Sequence, residues 1–557
     1  MYAPDNPLIV QSDKTILLET ASPRFEEARD LLSTFAELLK SPEHIHTYRV
    51  SPLSLWNAAA LGLTPDRIKD AMVNMAKYPV PDNVLSDVDD YMSRYGRIQL
   101  VDEGDRLLLV SEDEVLLKEV CSQRAVQALV VGSAGQGRVE VVAGQRGFVK
   151  QALIKVGFPV EDLAGYREGA PLEVDLRTPT LEGADFALRD YQNQAVDAFW
   201  AGGTTRGGSG VVVLPCGAGK TVVGIGTMAR LGTHTLILTT NTTALRQWRD
   251  EILDKTDLTA DDVGEYSGHT KEIKPVTITT YQILTYRKSR DSPFVHFKIF
   301  DDAQWGLIVY DEVHLLPAPV FRAVANLQSM RRLGLTATLV REDGKEEEVF
   351  SLIGPKKYDV PWRVLEGRGF IANASCTEIR VPFDDDDLRL EYALAEPRTK
   401  YRLAATNPRK LDTLKRLLQV HKDDRILIIG QYLDQLDHVS NLLKAEIITG
   451  KTPQKVREVL YEKFRTGEVQ VLVVSKVANF AVDLPDANVA IQISGTFGSR
   501  QEEAQRLGRI LRPKKGVNNA HFYTVVTRDS SEQDFSAKRQ LFLTEQGYRY
   551  RIESVEH

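Results

Sequence analysis

Apolar residues fall along this chain in two rhythms, and the change between them divides it. In the second half, short unbroken apolar runs recur between helical segments: Val211–Leu214, Thr235–Leu238, Val276–Thr279, Leu307–Tyr310 and Arg332–Leu335. Four more follow at Ile426–Ile429, Val469–Val474, Val489–Ile493 and His521–Val526. Runs of this length predict strands buried on both faces, as in parallel sheets covered by helices. The first third alternates differently. Strands are predicted near Pro7–Val10 and Thr15–Glu19, then helices at Arg24–Leu39 and Leu53–Leu61. Thr64-Pro65-Asp66 supplies an N-cap, a proline at the first helical position and an acidic first turn for a helix through Met75.

Four zones follow from this pattern. Residues 1–120 form an α+β N-terminal region. Residues 121–185 carry strands at Ala128–Val131 and Arg138–Val142 and a helix near Gly147–Val156, with Gly132–Gly137 as a loop and Thr178–Gly183 as a linker. Residues 186–355 and 356–557 are two α/β domains in tandem, with no internal sequence repeat. The two helices joined at Gly62-Leu63 make a helix-turn-helix-like unit, suited either to a DNA groove or to packing against a partner.

Length and composition bound the answer without changing it. At roughly 150 residues per domain, 557 residues suit three or four domains. No apolar run approaches the ~18 residues of a membrane span, and Met1–Val10 carries an acid and no base, unlike a signal peptide. A cytoplasmic protein with no membrane contact is expected. Cys121, Cys216 and Cys376 stand far apart, so neither a disulfide framework nor a structural metal is expected.

Charge adds an asymmetry. Residues 1–185 hold 19 Lys and Arg against 29 Asp and Glu, a net of −10. The remaining residues hold 51 against 48, a net of +3. An acidic first third on a slightly basic remainder implies different partners for the two parts. The overall net of −7 still leaves room for a local basic groove on DNA.

The sharpest chemistry lies at Val211-Val-Val-Leu-Pro-Cys-Gly-Ala-Gly-Lys-Thr221. A buried strand enters a glycine turn that opens a helix, a place where backbone N–H groups and the helix dipole favour phosphate. Pro215, Cys216, Gly217, Ala218 and Gly219 would wrap the phosphates of ATP, with Lys220 on the β- and γ-phosphates and Thr221 on Mg²⁺. The strict motif has Gly where this chain has Leu214. An ordinary glycine turn with a solvated lysine is the plain alternative.

Ninety residues on, the run Leu307–Tyr310 ends in Asp311-Glu312-Val313-His314. Two acids at the end of an apolar strand are costly without a task. Asp311 would complete the magnesium shell, Glu312 would orient or deprotonate the attacking water, and His314 could link the site to the other domain. Upstream, Arg189, Tyr191 and Gln192 are candidates for the adenine, or simply a helix start. In the second α/β domain Gln505, Arg509 and Arg512 share one helix face. Such guanidiniums stabilise a transferring phosphoryl group, though a basic face for DNA or solvent fits equally.

Taken together these residues resemble a superfamily 2 helicase and, more narrowly, the XPB family of DNA repair helicases, over nearly the whole chain. Leu335-Thr336-Ala-Thr338 resembles the motif coupling hydrolysis to domain movement. Arg341-Glu342-Asp343 resembles the R-E-D motif of that family. Ser475-Lys-Val-Ala-Asn-Phe-Ala-Val-Asp483 resembles its motif V, which implies Asp483 near the ribose or the domain interface. Gly498–Arg506, Phe535–Tyr548, Pro7–Asp13 and Ser41–Tyr48 resemble further family segments. The resemblance implies two RecA-like domains with ATP between them, 3′→5′ DNA unwinding in repair, and a damage-recognition-like domain at 121–185. It implies strand contacts near Thr240, Asn241, Arg246, Gln247 and Thr280-Tyr281-Gln282, and Arg341 at a duplex junction. Archaeal members insert a longer helical thumb, whereas Tyr392–Asn407 leaves room here for one short helix near 385–407. That favours a second expectation, an ATP-driven duplex translocase opening DNA locally with a nuclease or repair partner on the N-terminal zone.

Overall fold

The computed structural model describes residues 3–555 except 42, 43, 105, 216, 290, 291, 293, 301, 302, 317–319, 321–323, 325, 326, 329, 338–344, 361, 476–486, 496–518, 546, 547 and 549. Its contacts divide into two units. The first comprises residues 1–37, 47–214 and 219–360, the second 38–46, 215–218 and 361–557.

The first unit is built on a seven-stranded sheet. Across it the strands run Val263–Tyr266, Val276–Thr280, Thr235–Thr239, Leu307–Asp311, Arg331–Thr336, Ser209–Val213 and Lys356–Asp359. Among the described residues every pairing in it is parallel, as expected for strands such as Ser209–Val213 and Val276–Thr280 whose residues are all buried. The five strands predicted from apolar runs are all present. Val263–Tyr266 and Lys356–Asp359 were not anticipated, because their polar residues break the run. Lys356–Asp359 pairs with Val211–Val213, so this sheet continues past the expected boundary at 355, and the unit ends at Val360.

The same unit carries the N-terminal elements. Leu8–Val10 and Thr15–Glu19 pair antiparallel. Thr64 caps Pro65–Met75 as expected, its hydroxyl accepting from Arg67 N at 3.4 Å. The helix expected over Arg24–Leu39 is shorter: it spans Phe25–Leu32, and Glu37–Lys40 is a strand. Ser33 and Thr34 turn back onto the helix, donating to Asp30 O and Leu31 O at 2.7 Å each. Hydroxyls bonded this way offer the backbone an exit from the helix, and the apolar spacing of Phe35, Leu38 and Leu39 suits either period.

A second, five-stranded sheet runs Val130–Gly135, Arg138–Val141, Arg106–Val110, Gln99–Glu103 and Glu161–Asp162. Its core joins Leu100 and Leu109 to Val141, Val149 and Leu153, so the division expected at 120 runs through one hydrophobic core. Most of the glycine loop expected at 132–137 is strand. Only Gln136-Gly137 turns, with Gly137 at φ 64° and a Cβ there 2.5 Å from Ser111 O. The expected linker is laced to the first α/β domain: Leu181 N donates to Asp254 O at 2.8 Å and Glu182 N to Asp254 Oδ1 at 3.0 Å.

The second unit has its own seven-stranded sheet, in the order Glu446–Ile448, Val471–Val474, Ile426–Ile429, Val489–Gln492, Asn519–Thr527, Asn373–Val381 and Tyr550–Ser554. Among the described residues its pairings are again parallel. The expected short thumb-like helix is two helices, Asp386–Leu394 and Pro397–Ala405, each with its own start: Asp385 accepts from Leu388 N, and Pro397 opens the next. Two tandem parallel α/β domains preceded by an α+β region is the observed architecture.

Candidate active site

Sheet order brings the first unit's chemistry together. Leu307–Asp311 lies beside Arg331–Thr336, which lies beside Ser209–Val213. Their registers place Asp311 opposite Leu335 and Val213 opposite Thr336. Three parallel strands therefore end side by side, where open α/β sheets hold their ligands.

Leu214 leads into the glycine turn. Gly217 and Gly219 take φ of 81° and 80°, torsions that strain any residue with a Cβ. A Cβ on Gly219 would also stand 2.5 Å from Nε2 of Gln192, so glycine is required there twice over. The helix Lys220–Leu231 then begins with Gly219 as N-cap and no side-chain cap. The first turn of a helix presents backbone N–H groups of the kind that bind anions. The residues present thus fit a polyphosphate.

Lys220 Nζ lies 3.1 Å from Glu312 Oε1. Glu312 itself sits at φ 49°, ψ 54°, a left-handed conformation that costs a non-glycine residue on the order of 1–3 kcal/mol and turns its carboxylate away from the strand line. Burial pushes this carboxyl up, but Lys220, His314 and the backbone N–H of Ala337 outweigh it and hold it below its usual value. Its Oε2 is buried without a hydrogen-bond partner among the described residues. Asp311 behaves oppositely. Burial and the adjacent Glu312 charge push it up to about 6, against the pull of Trp248 and Lys220.

His314 is buried, with Nδ1 2.6 Å from Thr336 Oγ1 and 3.6 Å from Glu312 Oε2. It was expected to reach the other domain. Two of its contacts run within the first unit, from the acidic pair to the strand Arg331–Thr336. Thr336 therefore takes part through its hydroxyl as well as through its sequence position.

The remaining candidates fall in three groups. Gln192 is buried and its Oε1 accepts from Arg189 N at 2.9 Å, while Tyr191 is buried in the core and bonds Arg189 Nη1 at 3.3 Å. Tyr191 thus has no open face for a base, and Gln192, whose Nε2 lies 2.5 Å from where a Cβ on Gly219 would stand, borders the glycine turn. Asn241 uses its side-chain oxygen as a helix cap, accepting from Thr243 N and Ala244 N at 3.0 Å each. Arg246 and Gln282 are exposed. Cys216, Thr338, Arg341, Glu342, Asp343, Asp483, Gln505, Arg509 and Arg512 lie outside the described residues.

Two contacts to Asp311 escaped the sequence reading. Trp248 donates its indole N–H to Asp311 Oδ2 at 3.0 Å, and Tyr281 donates its hydroxyl to Asp311 O at 2.8 Å. In sequence Trp248 looked like one apolar position among Leu245 and Ile252, and nothing in that periodicity shows where its N–H points.

Comparison with known proteins now becomes specific. Residues 365–556 match the family model described as ERCC3/RAD25/XPB C-terminal helicase. Residues 8–134 match that described as helicase conserved C-terminal domain, and residues 185–341 that described as type III restriction enzyme, res subunit. A protein of Kineococcus radiotolerans named DNA 3′-5′ helicase XPB is 54% identical over 98% of this chain and 96% of its own length. One of the same name from Mycobacterium tuberculosis is 53% identical over 99% of this chain and 98% of its own. The Saccharomyces cerevisiae general transcription and DNA repair factor IIH helicase/translocase subunit XPB/SSL2 is 31% identical over 98% of this chain and 71% of its own length. With such identity over nearly its full length, and with the phosphate turn, acidic pair and His–Thr link assembled at one sheet edge, the chain belongs to the XPB family of helicases.

Proposed function

We propose that this protein hydrolyses ATP with Mg²⁺ at the edge formed by Gly219, Lys220, Thr221, Asp311 and Glu312, and spends that energy separating DNA strands 3′→5′ during repair. The observation that carries the reading is the chain Lys220–Glu312–His314–Thr336. Lys220 can pair with Glu312 or with phosphate oxygens. When phosphate takes Lys220, Glu312 is released to accept a proton from water attacking the γ-phosphorus as the bond to the leaving oxygen breaks. His314 then carries the change in Glu312 charge to Thr336 and the strand end beyond it. Bound Mg²⁺ supplies neutralising charge, with Thr221 and Asp311 as its protein ligands.

Gln505, Arg509 and Arg512 are assigned to the γ-phosphate from the second α/β domain, Asp483 to the ribose or domain interface, and Arg189 and Gln192 to the adenine. Asn241, Arg246, Gln282 and Arg341-Glu342-Asp343 are assigned to DNA, along a backbone-contacting path that carries no base sequence. Thr338 is assigned to coupling. A cytoplasmic location fits, since no helix among the described residues is long and apolar enough to cross a membrane. The acidic N-terminal zone is the surface for a nuclease or repair partner.

A second reading, duplex translocation with only local opening, is favoured by the brevity of Asp386–Leu394 and Pro397–Ala405, nine residues each. Hydrolysis of ATP with and without single-stranded and forked DNA, comparing wild type with Glu312→Gln, tests the motor. DNA-stimulated hydrolysis that Glu312→Gln abolishes is expected. Release of the displaced strand from the fork then distinguishes unwinding from translocation.

A further inference from the structure

Among the described residues Asp311 takes a hydrogen bond from one side-chain donor, and it is a neutral one. The indole of Trp248 is 2% exposed and donates to Asp311 Oδ2 at 3.0 Å. The ring is wedged in place from its far edge. A Cβ on Gly224, in the helix that follows the glycine turn, would stand 2.4 Å from Cη2 of Trp248 and 3.3 Å from Leu335 Cδ1. Glycine at 224 therefore makes room for this ring, and the ring has nowhere to slide. From behind, the Tyr281 hydroxyl holds the Asp311 carbonyl oxygen at 2.8 Å. The residue is thus fixed at its backbone by one aromatic side chain and at its carboxylate by another.

A buried indole N–H must find an acceptor, whereas a phenylalanine would fill most of this space and need none; of the groups near this ring, the acceptor it takes is the Asp311 carboxylate. A carboxylate that receives a cation must present one oxygen in a fixed direction, and an outer hydrogen bond to its second oxygen does this. A neutral donor suits the task. It fixes orientation without cancelling the negative charge that the cation needs, as a lysine or arginine in the same place would.

We propose that Trp248 is a positioning residue for hydrolysis: its indole N–H locks Asp311 Oδ2 so that Oδ1 faces the divalent ion. Trp248 sits on the helix Thr242–Lys255, which Asn241 caps and which carries exposed Arg246. A strand held at that first turn is thereby joined to the ion's carboxylate by one rigid helix. The inference rests on the reading of Asp311 as a metal ligand.

The test uses ADP, so that binding is read without turnover. Calorimetry on the full-length protein compares ADP affinity in excess Mg²⁺ with ADP affinity in excess chelator, for wild type, Trp248→Phe, Gly224→Ala and Asp311→Asn. Trp248→Phe is expected to lose about tenfold in the Mg²⁺-dependent part, the size typical of removing an outer partner of a metal ligand, with the chelator value unchanged. Gly224→Ala, which pushes the ring off its seat, is expected to do the same. If Asp311→Asn weakens Mg²⁺-dependent binding while both other variants match wild type, the inference about Trp248 is overturned and the site stands. If Asp311→Asn itself leaves Mg²⁺ dependence intact, the reading of the site fails. The unmutated protein gives an independent check against misfolded variants. One of the five indole N–H resonances is expected to shift when Mg²⁺ and ADP are added together and to stay put with ADP in chelator; five unmoved resonances overturn the proposal.

Discussion

Two buried carboxylates in the first unit, Asp162 and Asp311, have been solved in opposite ways. Asp162 is surrounded by cations: Arg146 Nη2 at 2.6 Å and Lys150 Nζ at 2.9 Å. Lys150 reaches on to Gln328 Oε1 at 3.0 Å, and Gln328 donates to Leu352 O and Val324 O. Burial would raise the Asp162 carboxyl, yet Lys150 and Arg146 hold it far below the usual range. Asp311 receives one neutral indole N–H and has Glu312 for a neighbour, and its carboxyl rises to about 6. The second unit repeats the balanced type, with Lys410 Nζ at 2.6 and 2.8 Å from the two Glu532 oxygens. Burial of charge alone therefore does not mark a functional site. What marks it is charge the protein leaves for something else to balance.

The largest expected effect falls at the candidate site, beside Asp311. Glu312→Gln keeps the shape and removes the base, so hydrolysis should fall roughly 10²–10⁴-fold while the urea midpoint stays near wild type. A parallel loss of stability would mean that Glu312 belongs with the structural pairs. On the balanced side, Lys150→Ala strips Asp162 of one of its two cations and breaks the tie to Gln328. A loss of about 3 kcal/mol in urea unfolding is expected, the lower end for breaking a buried pair, with hydrolysis per folded molecule changed little.

Acid sharpens the contrast. A carboxyl whose folded pKa lies below its unfolded value of 3.8 stabilises the fold where the unfolded chain is already deprotonated. That contribution is complete above the unfolded value and is lost as pH falls from 3.8 toward the folded one. Asp162→Asn should therefore lower stability at neutral pH and flatten the acid limb of a stability–pH curve below about pH 4. An unchanged slope would remove Asp162 from the account. The smallest change in stability is expected at Asp311→Asn, where a like charge beside Glu312 disappears: stability equal to wild type or higher by up to ~1 kcal/mol, as active-site substitutions often give, although hydrolysis is lost.

How much of this was readable beforehand varies with the physics involved. The strands of both α/β sheets stood out wherever every side chain is buried, as in Thr235–Thr239 or Ile426–Ile429. Lys356–Asp359 did not, because an edge strand can keep its polar residues in solvent. Lys220, Asp311 and Glu312 were legible because each is anomalous for its place, a charge beside an apolar run. Trp248 and the Asp162 cluster were not legible. An indole looks ordinary on an apolar helix face, and Arg146, Lys150 and Asp162 look like solvated charges on separate elements. At Asn241 the resemblance implied a strand contact, and the structure adds that its side-chain oxygen caps a helix.

Sequence by itself determined the fold class and the family and singled out the candidate catalytic groups, since these depend on local patterns: runs of buried residues, a glycine turn, adjacent acids. Tertiary structure alone decided which carboxylate is neutralised and which stays available. It set the indole against Asp311 and joined His314 to both Glu312 and Thr336, 22 residues further along the chain. The reason is that a group's protonation and reach are fixed by what surrounds it within a few ångströms. Those neighbours arrive from strands and helices far apart in the chain.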